Sequence, residues 1–297
     1  MASTVGAEVT LLSRLPGGVN GGAVRVQLGG TTPAVLKAVP RAHDHHLDET
    51  LRAQRVAEHM RRHGYPTPAW LGVGATATHV WHLMELVDAA PASALTPSLI
   101  EQLMEIIELQ AGQASEPYDH WSYAWRVATG QEIPTDGSAV GETPEQSGLR
   151  RSIAGLAGHS PAVSVLVERV RLLCADAPPP RDAPDMVHAD LATPNNVLVR
   201  GGAVVAVVDI GNAGSGTRAT DLTALAWYTF QDPLLDGVRR RLWARTLDLV
   251  GWEGTAVLAA AHILHMLEIP IRGGRQKVVP AVVGRGHRAL DELNALR

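Results

Sequence analysis

From residue 8 to residue 36 short apolar runs alternate with glycine pairs, which predicts a meander of strands joined by tight turns. Residues 11–15 open it, Ala23-Val24-Arg25-Val26-Gln27-Leu28 alternates at the strand period, and residues 33–37 follow the turn at Gly29 and Gly30. The period then changes. Leu51, Val56, Ala57 and Met60 recur near helical spacing in a helix that opens at 41–49 and runs to about His63, where Gly64 and Pro66 end it. Residues 80–88 read as a buried strand leading into a mostly helical remainder. Ile100, Leu103 and Ile107 mark a helix over 98–110, Trp121 and Trp125 ride on another, and the rest of 112–148 reads as a long loop without a period. Further helices are predicted over 161–176, 222–228, 239–250 and 255–267, with a last one ending at Arg297. One late stretch breaks the helical pattern. Two β-branched runs in 197–208 meet at Gly201 and Gly202, which predicts a β-hairpin. The fold class is therefore α+β, with a small β-rich part before a larger helical one.

Composition narrows the function classes. Of 297 residues, 45% are hydrophobic and 19% charged, an ordinary globular balance. A net charge of −4 argues against a nucleic-acid partner, which would favour a basic face. Cys174 is the only cysteine, so no internal disulfide can form. Residues 1–8 lack the basic and apolar segments of a signal peptide. The apolar stretch 246–269 carries Asp248, Glu253, His262, His265 and Glu268, so it reads as a core helix pair and not a membrane span. A cytoplasmic protein with no membrane partner is the expectation. Lysine appears only at Lys37 and Lys277, in a chain that otherwise uses arginine. The cluster His43-Asp44-His45-His46 reads as a solvated helix entrance.

The candidate chemistry lies between residues 187 and 211. His188, Asp190 and Asn195 follow the spacing H-x-D-x-x-x-x-N, and Asp209 with Gly211 follows D-x-G. Phosphoryl transfer needs such groups: a carboxylate near a substrate hydroxyl, and an amide oxygen and second carboxylate for Mg²⁺. The hairpin between them would fold Asn195 back beside Asp209, within reach of one metal ion.

Residues 187–222 resemble the aminoglycoside phosphotransferase family, above all through the pattern Asp209, Gly211, Gly214, Arg218, Asp221 and Leu222. Ala189 stands where the family usually has Gly, and Ala192 where many members have His. The interval 209 − 190 = 19 is one residue longer than the family pattern, so Asn195 or Asn196 could be the metal ligand. Asn195 is preferred, because an extra residue is easier to absorb after the loop than inside it.

The resemblance implies a bilobal protein-kinase-like fold, with an N-lobe over 1–87 and a C-lobe over 88–297. It implies a glycine loop with Gly18 and Gly21 over the phosphates, and Lys37 on the α and β phosphates. Glu49, or in second place Glu58, would pair with Lys37. Met84 would lie behind the adenine, with the Glu85 carbonyl and Val87 amide bonding its edge. Asp190 would take the acceptor proton and His188 brace the loop, while Asn195 and Asp209 hold Mg²⁺. Asp221 would fix the turn after Asp209, and Arg218 would pair with an acid. The implied donor is ATP, with GTP an alternative, and the implied acceptor a hydroxyl of a cationic antibiotic, either an aminoglycoside or a cyclic peptide of the capreomycin or viomycin kind, so that the enzyme would confer antibiotic resistance. Asp119, Asp232, Asp236 and Glu268 are the candidate carboxylates for such a polycation. Other readings are a metabolic kinase of an amino alcohol or sugar, and a catalytically silent binding module. A monomer or weak dimer is expected.

Overall fold

The computed structural model describes residues 6–15, 22–131, 142–143, 146, 149, 152–181 and 184–297. The chain divides into two compact units, one made of Met1–Leu109 with Asp190–Ala213, the other of Gln110–Ala189 with Gly214–Arg297.

The first unit is built on a five-stranded antiparallel sheet of β1 (Val9–Arg14), β2 (Ala23–Leu28), β3 (Thr32–Pro40), β4 (Trp70–Ala75) and β5 (His79–Glu85). Its spatial order is β1-β2-β3-β5-β4, with Lys37 directly opposite His82 and Val35 opposite Met84. Alternation sorts the side chains onto two faces. Val26, Leu28, Ala34, Leu36, Trp81 and Leu83 form an apolar cluster on one face. Lys37, His82 and Met84 therefore stand on the other. Helix α1 (His46–Arg62) packs on β4 and β5 through Ala53, Val56, Ala57 and Met60. Gly74 is required by close packing, since a Cβ there would lie 2.4 Å from the Trp81 ring.

The same unit holds α2 (Pro97–Glu108), started by Pro97 and capped by the Thr96 hydroxyl, and a three-stranded sheet. In that sheet β6 (Ala90–Pro91) pairs with β8 (Val197–Arg200), which pairs with β9 (Ala203–Val207). The predicted hairpin is therefore present. Gly201 and Gly202 have φ of 60° and 80°, the two positive values that a tight two-residue turn demands.

The second unit is helical. It contains α3 (His120–Thr129), α4 (Pro161–Leu173), α5 (Ala219–Thr229), α6 (Asp236–Arg272) and α7 (Val279–Ala295) around one apolar core. A short ladder of β7 (Asp185–Val187) and β10 (Gly214–Gly216) completes it. The helices predicted over 239–250 and 255–267 are both present within α6, on either side of Gly251, whose φ of 69° and ψ of −176° are not helical. That element is long and apolar enough to cross a membrane, yet 67% of its apolar window is buried inside the protein, as a core helix would be.

Candidate functional site

Strand β3 carries Lys37 to the sheet face shared with His82, and Lys37 Nζ lies 2.6 Å from Asp209 Oδ1. Both members of this ion pair keep partial solvent exposure. The His82 ring stacks on Trp70 at 4.1 Å between centroids. Burial and then the Lys37 charge push the His82 pKa down to about 4, with Asp209 pulling the other way, so the imidazole is neutral at pH 7.

Asp190 opens the loop before the hairpin. Thr193 Oγ1 donates to its Oδ1 at 2.6 Å, and Asn196 Nδ2 donates to its Oδ2 and to its backbone oxygen, both at 2.9 Å. These donors fix the orientation of the carboxylate. A 3₁₀ turn over Pro194–Asn196 turns Asn195 out to solvent and buries Asn196. The Val208 amide then donates to the Asn196 carbonyl at 2.9 Å, closing the hairpin next to Asp209. Asn196, and not the preferred Asn195, is thus the amide brought to Asp190. A bulge at Val205 does absorb a residue in the hairpin, where Leu198 pairs with Ala206 and Val199 with Val204. The 3₁₀ turn nevertheless decides which amide faces Asp190.

Asp209 adopts left-handed angles, φ 68° and ψ 45°, and leads into a 3₁₀ turn over Ile210–Asn212. The turn is held by a residue the sequence reading missed. Arg52 of α1, 8% exposed, donates from Nη1 to the Ala213 carbonyl at 2.6 Å and from Nη2 to the Gly211 carbonyl at 2.8 Å. Its only sequence signal is a charged residue amid the apolar positions of that helix. The expected pair of Glu49 with Lys37 is not formed. Glu49 lies 3.5 Å from His43 Nε2, Glu58 is exposed, and the buried positions of α1 carry no carboxylate.

Met84 and Glu85 end β5, the Glu85 amide donating to the Ala69 carbonyl at 2.8 Å, and Val87 follows with its carbonyl accepting from Ala89 at 2.9 Å. The Glu85 side chain turns to the Ala69 amide and to Arg61. Gly18 and Gly21 lie outside the described residues.

In the second unit, Asp221 is fully buried and accepts from the backbone amides of His188 (2.8 Å) and Ala189 (3.0 Å) and from Gln110 Nε2 (2.9 Å). Burial raises its pKa, opposed by the His188 charge and these donors. Asp221 was expected to brace the turn after Asp209; it braces the peptide entering Asp190 instead. Ala189 has φ 69°, which explains why glycine suits this place in related chains. Arg218 pairs with Asp185 at 2.8 Å, and Asp185 also accepts from the Gly112 amide. Gly214 is sterically required, since a Cβ there would meet the Tyr118 Cβ at 2.6 Å; one at Gly211 would meet nothing within 4 Å.

The four carboxylates expected to hold a polycation all have internal partners. Asp119 caps α3 through the amides of Trp121 and Ser122, and Asp232 accepts from the Leu234 amide. Asp236 lies 2.7 Å from Arg239, which also binds Glu292. Glu268 is fully buried, 2.8 Å from Arg272 Nε. Their local spacing had suggested open acids. What the sequence does not display is that arginines and helix N-termini stand beside them.

Comparison with known proteins bears on the fold. No curated protein matches the chain. Among solved structures, a thermostable aminoglycoside phosphotransferase APH(4)-Ia in ternary complex with ADP and hygromycin B has a TM-score of 0.63 at 15% identity, over 95% of this chain and 93% of that one. A protein described as a fructosamine-3-kinase from Thermobifida fusca gives 0.57 at 20% identity, over 97% and 96%. An aminoglycoside-3'-phosphotransferase of type VIII gives 0.54 at 18% identity, over 86% and 93%. The fold is the bilobal kinase-like α+β fold. The sequence profile of the phosphotransferase enzyme family matches residues 12–258, and the chain belongs to that family.

Proposed function

We propose that the protein transfers the γ-phosphoryl group of ATP, with GTP an alternative donor, to a hydroxyl of a small polar molecule. An aminoglycoside-like antibiotic is the acceptor we favour, after the hygromycin B complex among the structural neighbours. The observation that carries the reading is the grouping of Lys37, Asp190, Asn196 and Asp209 within one compact unit. Phosphoryl transfer asks a protein mainly for positioning and charge neutralisation.

Asp190, its oxygens oriented by Thr193 and Asn196, aligns the acceptor hydroxyl and accepts its proton. Lys37 supplies a compact positive charge to the phosphates. Mg²⁺ takes hard oxygens, and the Asn196 amide oxygen and Asp209 carboxylate fit that donor set. The Asn196 nitrogen already points to Asp190, which leaves its oxygen for the ion. When bound, the ion neutralises phosphate charge. In this reading Met84, Glu85 and Val87 border the adenine. His188 and Asp221 keep the peptide entering Asp190 in its left-handed form.

A second reading is a kinase of a sugar-derived amine. The internal contacts of Asp119, Asp232, Asp236 and Glu268 weaken the case for a polycation, and the fructosamine-3-kinase neighbour covers this chain as fully as the antibiotic enzymes do. Acceptor-dependent ADP release, screened with Mg²⁺ against cationic antibiotics, amino alcohols and glycated amines, separates the two. Nucleotide binding without turnover on any acceptor would favour the silent binding module.

A further inference from the structure

We infer that Arg52 is the positioning residue of the Asp209 turn, so that helix α1 acts on the proposed metal site through backbone carbonyls and not through a glutamate–lysine pair. The inference rests on the kinase reading above and adds to it a residue outside the two motifs.

The geometry is specific. Asp209 takes left-handed angles and the next three residues form a single 3₁₀ turn closed by the Ala213 amide on the Ile210 carbonyl at 3.1 Å. Both carbonyls on the far side of that turn, Gly211 and Ala213, accept from one planar guanidinium. The direction of the Asp209 carboxylate depends on the turn that follows it, because two left-handed dihedrals at its own backbone set the exit of the chain. Lysine cannot reproduce a two-pronged contact from one ammonium. The remaining buried face of α1, Ala53, Val56, Ala57 and Met60, is apolar, so the helix stays seated without the arginine. Carbonyl recognition also needs no particular side chain at 211 or 213.

The test uses the full chain with Arg52→Gln and Arg52→Lys. Calorimetry measures Mn²⁺ binding in the presence of a non-hydrolysable ATP analogue, and hydrogen exchange follows residues 209–214. Partners that orient metal ligands change affinity by about 10–100-fold when removed, so Arg52→Gln is expected to weaken Mn²⁺ at least tenfold. Arg52→Lys should fall between it and wild type, and exchange should quicken over 209–214 while α1 stays protected. Unchanged metal affinity or unchanged exchange in both variants overturns the inference; if Arg52→Gln fails to fold, Arg52→Lys decides. Should wild type bind no metal with nucleotide, the proposed function falls, and the exchange data alone judge whether Arg52 shapes the turn.

Discussion

Ala189 occupies a backbone position that glycine would take without strain, with φ 69° held by the Asp221 bond to its amide. A left-handed alanine costs ~1–2 kcal/mol, and glycine forfeits ~0.4–1 kcal/mol through the unfolded chain. Ala189→Gly should therefore raise stability by roughly 0.5–1 kcal/mol, read as a higher urea midpoint; a lower midpoint would contradict the strain argument. Asn196→Ala should demand much more Mg²⁺ for activity, while Asn195→Ala, altering an exposed side chain, should behave as wild type. The reverse order would restore Asn195 as ligand. The joined H-x-D and D-x-G patterns singled out Asp190 and Asp209 in the sequence, and both lie in the first unit at the two ends of the hairpin. Counting could not separate Asn195 from Asn196, since the 3₁₀ turn that chooses between them leaves no period. Arg52 was invisible for a related reason: its partners are carbonyls, which every residue has.

Elements were read more securely than residues wherever one face is buried. β2, the hairpin and α4 lie close to where alternation, the glycine pair and the helical period put them. β4, β7 and β10 were missed, being short or interrupted by glycine, and they exist because neighbouring strands complete their ladders. The non-helical Gly251 separates the two helices that the sequence predicts there. Helix α5 contributes Asp221, whose carboxylate satisfies three donors at the entrance to Asp190. Removing it leaves the buried His188 amide and Gln110 side chain without their acceptor, at about 1–3 kcal/mol each before relaxation. Asp221→Ala is expected to lose several kcal/mol of stability; a thermal midpoint equal to wild type would show that the carboxylate is not what holds this loop.

At the scale of the whole molecule, two histidines couple folding to acid. Burial lowers His262 to about 3, and burial with Lys37 lowers His82 to about 4. Below the ordinary value of 6.5 the unfolded chain binds protons that the folded one refuses, so stability falls as pH drops from 6.5 towards 4. The slope from His262 is about 1.4 kcal/mol per pH unit over that window. Denaturant midpoints between pH 7 and 5 should decline, and His262→Leu should flatten the curve; identical curves would place the acid sensitivity elsewhere. The fold class and the family were legible in the sequence because hydrophobic period and the 187–222 pattern are local. The acceptor was not, because a pocket for it depends on which acids remain unpaired after folding. The central claim is that Asp190 directs a hydroxyl onto the phosphoryl group of ATP. The most direct test is transfer of labelled γ-phosphate to the best acceptor with Mg²⁺, comparing wild type with Asp190→Asn at equal nucleotide affinity. Wild type should give labelled acceptor, with labelling about 10²–10⁴-fold slower in the variant. Equal labelling by both proteins would contradict the claim.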